Sequence, residues 1–281
     1  MAGLLSGLSE IGLGGLENME VYEQSEDKEA EKQAEEKPEV KEETFLFDKN
    51  YECPVCYQGF KAKTVRSGKL RSLGTDRDLR PLYDQMEPLK YDVVICPHCG
   101  YAALARFFGG LTAGQIKAIK ENISANFHPA KEEKETYTYE EALYRYKLCL
   151  ANTIVKHGKV SEKAYICLKA GWLLRSMGEN LDPAVEDYNK KIQEIKEQEK
   201  EFLKNALDGL ITARQTESYP ICGMDEVTLE YLIAVLAMEF EKYDISSRLI
   251  YNILNTPTVN NRIKDKAREV KDELLQQMGK K

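Results

Sequence analysis

The chain has 281 residues, of which 42% are hydrophobic and 31% are charged, and its formal net charge is −7. This length allows one large domain or two smaller ones. No run of about 18 apolar residues is present to span a membrane, and the first residues lack the basic start and apolar block of a secretory signal. We therefore expect a soluble, cytoplasmic protein without a membrane span.

Residues 1–44 differ in composition from the rest of the chain. Residues 1–19 are apolar and rich in glycine, whereas residues 20–43 contain eleven acids and four bases. The acidic stretch has no apolar periodicity, so we expect it to be a disordered linker. Two interpretations of the apolar start remain open, a docking peptide and an unstructured terminus. Without these residues the chain is nearly neutral.

Residues 45–110 are typical of short strands and turns, with two cysteine pairs among them. The first pair is Cys53-Pro54-Val55-Cys56 and the second is Cys96-Pro97-His98-Cys99. Two CxxC pairs in a chain without an export signal favour metal binding over disulfides. Thiolates prefer soft metals, and four of them in a tetrahedron form a closed site for which zinc is the default ion. We predict one structural Zn²⁺ bound by Cys53, Cys56, Cys96 and Cys99 in a zinc-ribbon-like domain.

The four cysteines, and the second pair by itself, each have one other interpretation. Iron in a rubredoxin-like site is less favoured because no other redox feature accompanies it. Cys-Pro-His-Cys is also the active-site tetrapeptide of some thioredoxin-fold oxidoreductases, and the run Ala102 to Phe108 is compatible with a helix after it. The chain beyond residue 112 is helical, however, whereas a thioredoxin unit needs further strands. His98, His128 and His157 are expected to be exposed, and none belongs to a nucleophile–base set.

A basic stretch separates the two cysteine pairs. It contains Lys61, Lys63, Arg66, Lys69 and Arg71 and no acid. Ser67-Gly68 is a turn signal, so we expect a basic hairpin over residues 61–71. Such a surface can bind nucleic acid through phosphate contacts. It is also typical of an ordinary solvated face, and it can hold the acidic linker of the same chain.

The chain from residue 111 to 281 is predicted to be helical throughout. Thr112-x-x-Gln115 and Thr138-x-x-Glu141 are capping boxes. Ser161 is a candidate cap for a helix ending at Gly178, and Asp182-Pro183 for one continuing to about residue 214. Asp225 is the candidate cap of the next helix, and a final pair is expected near 245–255 and 260–278. Each predicted helix carries a narrow apolar stripe, so the helices must stack.

Parts of this helical region resemble tetratricopeptide repeats. The spacing of Tyr139, Ala142, Tyr146 and Cys149 is similar to that of a second repeat helix. The helix after Asp182 is too long for a strict 34-residue period, and an irregular α-bundle is the alternative. The predicted fold class is therefore α+β but mainly α, a zinc-ribbon-like head followed by TPR-like stacked helices.

The blocks Asp78-Leu79-Arg80-Pro81-Leu82-Tyr83 and Glu87-Pro88-Leu89-Lys90-Tyr91, followed by Cys96 to Ala102, resemble the bacterial "domain of unknown function 2225" family. The first cysteine pair and the basic stretch after it are similar to that family as well. The resemblance covers nearly all of residues 45–275. It implies a bacterial cytoplasmic protein with a zinc-ribbon-like head and a TPR-like body, and it implies no activity.

These observations favour a non-enzymatic, zinc-binding interaction protein. Its predicted parts are 1–44, the apolar segment and linker; 45–110, the zinc-ribbon-like domain; and 111–281, the TPR-like domain. We expect the helical groove to bind a protein or peptide partner. The alternative is a nucleic-acid-binding module that uses the basic stretch 61–71, and a thiol-disulfide oxidoreductase is less favoured.

Overall fold

The computed structural model describes residues 41–128 and 135–279. The apolar segment at 1–19 and nearly all of the acidic linker lie outside these residues, so both expectations stay predictions. The described part is mainly helical, with small antiparallel sheets toward its N-terminal side. This confirms the mainly helical α+β class expected from the sequence.

The strands are short and pair as hairpins. They are β1 (Leu46–Glu52), β2 (Gly59–Val65), β3 (Ser72–Thr75), β4 (Pro81–Tyr83), β5 (Val93–Ile95) and β6 (Ala102–Leu104). Within the described residues they form three two-stranded antiparallel sheets, β1 with β2, β3 with β4 and β5 with β6. Two of these hairpins, β1–β2 and β5–β6, carry a cysteine pair in the connection between their strands.

The predicted hairpin over residues 61–71 was wrong. β2 pairs with β1 along its whole length, from Leu46 opposite Val65 to Glu52 opposite Gly59. The Ser67–Lys69 segment forms one turn of 3₁₀ helix, and the strand after it pairs with β4 instead. The two seven-residue strands around the first cysteine pair form a full-length ladder, and the four-residue β3 offers β2 no comparable partner.

The helices follow in sequence order. They are α1 (Ala113–Asn122), α2 (Tyr139–Val155), α3 (Val160–Glu179), α4 (Tyr188–Thr216), α5 (Glu226–Glu239), α6 (Tyr243–Asn255) and α7 (Asn261–Met278). The capping boxes at Thr112 and Thr138 are both formed, with each hydroxyl accepting the amide proton three residues on. Asp225 caps α5 in the same manner. These local signals therefore located three helix starts correctly.

Two predicted caps were wrong. Asp182 accepts the Ala184 amide proton at 2.8 Å within a turn, and α4 begins only at Tyr188. Asp-Pro favours a turn as readily as a helix start. Asp187, with φ of 59°, lies between this turn and the first residue of α4. Ser161 lies inside α3, where its hydroxyl and amide donate to the Glu217 carboxylate at 2.6 and 2.9 Å. A carboxylate beyond the end of α4 thus takes the place of a local cap.

Consecutive helices pack on one another from α2 to α7. The main core combines residues of these helices with Leu89, Val93, Ala102 and Leu104 from the region of the strands. α5 departs from the predicted narrow stripe, since every residue from 229 to 238 is buried. It contacts α4, α6 and α7. The lengths of α2 to α7 run from 13 to 29 residues, and the tetratricopeptide assignment stays a prediction.

Candidate metal centre

Each cysteine pair lies in a tight turn that joins two strands. In the first, the Tyr57 amide donates to the Cys53 carbonyl at 2.8 Å, and in the second the Gly100 amide donates to the Cys96 carbonyl at 3.0 Å. The residue after the second cysteine has positive φ in both turns, 61° at Tyr57 and 73° at Gly100. The two hairpins therefore present their sulfur atoms with the same local backbone geometry.

The two turns bring all four sulfur atoms together. Cys53 Sγ lies 3.6 Å from Cys99 Sγ, and Cys56 Sγ lies 3.6 Å from Cys96 Sγ. All four lie within 4.8 Å of one another. A tetrahedron with metal–sulfur bonds of about 2.3 Å has edges of about 3.8 Å, so the donor set fits one ion. Cys53 and Cys96 are 0% exposed, which is typical of a closed site.

Hydrogen bonds among the sulfur atoms shift the pKa values of three of the cysteines in different directions. Hydrogen bonds from the Cys96 and Cys99 thiols lower the pKa of Cys53 to about 2. The neighbouring Cys53 sulfur raises the pKa of Cys99 to about 12, and it raises that of Cys96 as well. Thiols must lose their protons to bind a metal. A bound metal cation would stabilise the thiolate form of these cysteines.

The cluster rests on a small core of its own. Val55, Tyr101, Ala103 and Ile119 are buried around the cysteines. The Asn152 side chain on α2 donates to the Gly100 carbonyl at 3.1 Å and so connects the second turn to the helices. This core is small, so bridging the hairpins through a metal should contribute much of the stability there.

Gly100 is required for two reasons. Its φ of 73° lies in the left-handed region, which favours glycine. A Cβ at this position would stand 2.5 Å from ring carbons of Phe127. The glycine after Cys99 therefore allows both the turn and the close approach of the aromatic ring.

The structure differs from the expectations of a thioredoxin-like site. The run beginning at Ala102 forms the strand β6, paired antiparallel with β5, where a reactive cysteine pair would precede a helix. Cys96 is sealed from solvent. His98, His128 and His157 are exposed, as expected. The buried thiols Cys149 and Cys167 pack in the main core, and Cys222 is half-buried.

The five basic residues of the stretch between the cysteine pairs do not share one element. Lys61 and Lys63 lie on β2, whereas Arg66, Lys69 and Arg71 lie in the segment between β2 and β3. Lys61 and Lys63 are two residues apart and so point to the same face of the strand. The predicted single basic hairpin surface is therefore divided between a strand and a loop.

Several of these cations are engaged within the chain. Lys63 pairs with Asp48 at 2.9 Å. Arg66 and Lys69 donate to backbone carbonyls at 3.0 and 3.3 Å, and Arg71 lies 4.0 Å from an aspartate. The two carboxylate pairs reduce the net positive charge that the stretch offers to a phosphate backbone, and the carbonyl contacts occupy donors of Arg66 and Lys69.

Sequence reasoning missed a buried polar network behind the strands. Asp78 and Arg80 lie just before β4 and are each 3% exposed. Asp78 accepts a hydrogen bond from Trp172 Nε1 at 2.9 Å and another from Arg175 at 2.9 Å. Arg80 binds both carboxylate oxygens of Glu179, at 2.7 and 2.9 Å. The block that carried the family resemblance thus attaches the strands to α3.

The same network continues onto α4. Arg175 donates to Glu199 at 2.7 Å. Although burial disfavours its charge, the carboxylates of Asp78 and Glu199 raise the pKa of Arg175. Asp78 and Arg175 are 97 residues apart in the sequence. No local sequence pattern could therefore indicate this network.

The concave surfaces of the described residues include a groove and a cavity. A groove of about 490 Å³ runs along α2, α3 and α4, and its lining includes Leu150, Ile154 and Phe202. A separate cavity of about 420 Å³ lies between β2, the second cysteine turn and α2. Among the described residues, only helices line the groove, whereas both the strand region and α2 line the cavity.

The profile of a family described as uncharacterized proteins conserved in bacteria, DUF2225, matches residues 46–274. The chain belongs to this family. No curated protein and no solved structure was found to match the chain. Of the helices that the structure describes, none has the length and apolar character to cross a membrane.

Proposed function

We propose that the chain is a non-enzymatic, zinc-stabilised interaction protein that binds an extended peptide segment of a partner in the groove along α2, α3 and α4. Zinc is the proposed ion because four thiolates in a closed tetrahedral set are the typical ligands of structural zinc. The ion holds the two cysteine hairpins together, and those hairpins pack against α2.

The observation that carries this proposal is the chemistry of the groove. Leu150 and Ile154 on α2 face Phe202 on α4 across it, and Ile154 remains 53% exposed. Asn205 donates its Nδ2 to the Glu201 carbonyl at 2.9 Å, which leaves Oδ1 to accept a peptide amide. An apolar lining with a few polar groups suits a peptide with apolar anchor side chains.

The close approach of α3 and α4 forms the base of this groove. A Cβ at Gly209 on α4 would stand 2.7 Å from the Ala164 Cβ on α3. Small residues at such a crossing let the two backbones approach closely. The groove is therefore a fixed feature of helix packing, as peptide recognition by stacked helices requires.

Selection of peptides from a random display library against the zinc-loaded full chain tests the proposal. We expect enriched peptides with apolar anchors whose affinity falls at least tenfold on Ile154→Ser, a loss of about 1.4 kcal/mol. Tyr251→Ser is the matched control, since Tyr251 is a 68% exposed apolar residue on α6 outside the groove. No enrichment, or affinity unchanged by Ile154→Ser, would contradict the proposal.

A further inference from the structure

The cavity between the strands and α2 has the dimensions of a small-molecule site. Its volume of about 420 Å³ lies within the range of about 300–1,000 Å³ typical of ligand pockets. β2 contributes Lys61 and Lys63, the second cysteine turn contributes Pro97, and α2 contributes Tyr144 and Arg145. The cavity is distinct from the peptide groove proposed above.

Arg145 is the most informative residue of the cavity wall. Its Nη2 donates to the Val93 carbonyl at 3.0 Å, and its guanidinium lies 4.2 Å from the centre of the Tyr137 ring. Its Nε is sealed from solvent and has no hydrogen-bond partner. Burial lowers the pKa of Arg145. A buried guanidinium without an ion-pair partner among the described residues is costly, and an anion in the cavity would supply that partner.

The other charges of the lining leave a second cation available. Asp48 pairs with Lys63 at 2.9 Å. Glu141, one turn before Arg145, accepts the Thr138 amide proton in the capping box. Lys61 is exposed and forms no ion pair within the described residues. Arg145 and Lys61 are therefore the two cations of the lining that can contact an anionic ligand.

Aromatic rings complete the lining. Phe127, Tyr137 and Tyr144 all border the cavity, and Tyr144 is 60% exposed. Aromatic faces pack well against planar rings, and a guanidinium forms bidentate hydrogen bonds with phosphate oxygens. The cavity thus combines a surface for a ring with two cations for a phosphate group.

The geometry points to a binding site for a phosphate monoester that carries a planar ring, the chemistry of a nucleoside monophosphate. Arg145 and Lys61 bind the phosphate, and the exposed Tyr144 ring packs against the base. This differs from the predicted nucleic-acid surface, since only Lys61 and Lys63 of those five basic residues line the cavity. The ligand is a free small molecule and not a polymer.

Calorimetric titration of the zinc-loaded full chain with AMP, GMP, CMP and UMP tests this inference. We expect saturable binding of at least one, with inorganic phosphate and the free nucleoside at least tenfold weaker. Lys61→Gln and Arg145→Lys should each weaken binding about tenfold. Lys49→Gln should leave it unchanged, because Lys49 lies on the neighbouring strand with its side chain on the opposite face of the hairpin.

Two oligonucleotide titrations distinguish a free nucleotide from a nucleic-acid end as the ligand. A short oligonucleotide with a 5′-phosphate is compared with the same sequence bearing a 5′-hydroxyl. Binding of the phosphorylated oligonucleotide, weakened by Lys61→Gln and tighter than that of every monophosphate, would overturn the free nucleotide as the ligand. The inference also fails if no monophosphate binds saturably, or if Lys61→Gln leaves the affinity unchanged. Lys61 is exposed, so that variant tests the site even where Arg145→Lys does not fold.

Discussion

At the residue scale, the metal centre depends on a few positions with strict requirements. The four cysteines are the candidate ligands, and Gly100 adopts a left-handed backbone conformation in the second turn, close to the ring of Phe127. Tyr57 adopts the equivalent conformation in the first turn at the usual cost of a side chain in that region. The two turns therefore share a geometry although their sequences differ at this position.

Replacing Gly100 should be costly. Gly100→Ala places a Cβ against Phe127 and keeps an unfavourable φ, so we expect the free energy of unfolding to fall by about 2–3 kcal/mol. Gly68→Ala is the control, since no atom lies within 4 Å of a Cβ there. Denaturant titration of both variants gives the comparison, and equal stability of the two would contradict the structure.

The buried carboxylate of Asp78 offers a second test at this scale. Asp78→Ala leaves Trp172 Nε1 and the Arg175 guanidinium without their partner, and we expect a loss of about 3–5 kcal/mol. Asp48→Ala removes a surface pair with Lys63 and should cost at most about 1 kcal/mol. Chemical denaturation would contradict the assignment if both variants lost the same amount.

At the element scale, the helices pack in sequence order and two of them approach unusually closely. α3 and α4 cross where Gly209 meets Ala164 and where Gly171 meets Leu203. A side chain at either glycine would occupy space already filled by the facing helix. The separation of α3 and α4, and with it the shape of the proposed peptide groove, follows from these small residues.

Alanine substitutions at two helical glycines should distinguish the effect of helix packing on stability from the effect of helix propensity. Gly209→Ala adds a methyl group 2.7 Å from the Ala164 Cβ, and we expect it to destabilise the chain by about 1–3 kcal/mol. Gly114→Ala lies in α1 with open space around it and should be neutral or stabilise by up to about 1 kcal/mol. The midpoint temperature of thermal unfolding should therefore fall clearly in Gly209→Ala, and it should stay the same or rise in Gly114→Ala.

At the scale of the whole molecule, part of the strand region shares the main core with the helices. Leu89, Val93, Ala102 and Leu104 pack with residues of the helices, and the Asp78–Arg80 network adds polar attachments to α3 and α4. Loss of the metal should therefore affect more than the two hairpins that bind it.

Metal removal should lower the stability of the helical region as well. We expect a chelator to shift thermal unfolding, followed by far-ultraviolet circular dichroism, to a lower temperature in a single transition. The physical reason is that metal binding stabilises the native state by its full binding free energy. Helical melting that is unaffected by the chelator would show that the two regions unfold independently.

The sequence allowed prediction of features that depend on short spacing. The CxxC pairs, the capping boxes at Thr112 and Thr138, and the mainly helical body all follow from local patterns. The pairing of β2 with β1 was missed because the strands on either side of Ser67-Gly68 fit a hairpin equally well. The contact of Asp78 with Trp172 was missed because it joins residues far apart in the chain, where no periodicity applies.

Elemental analysis of the purified full chain tests the central claim most directly. We expect one zinc ion per chain, and less than one tenth of that in Cys53→Ser, with Cys222→Ser as a control that keeps its zinc. A chain purified without bound metal, or one whose zinc persists in Cys53→Ser, would contradict the assignment of Cys53, Cys56, Cys96 and Cys99 as a single structural zinc site.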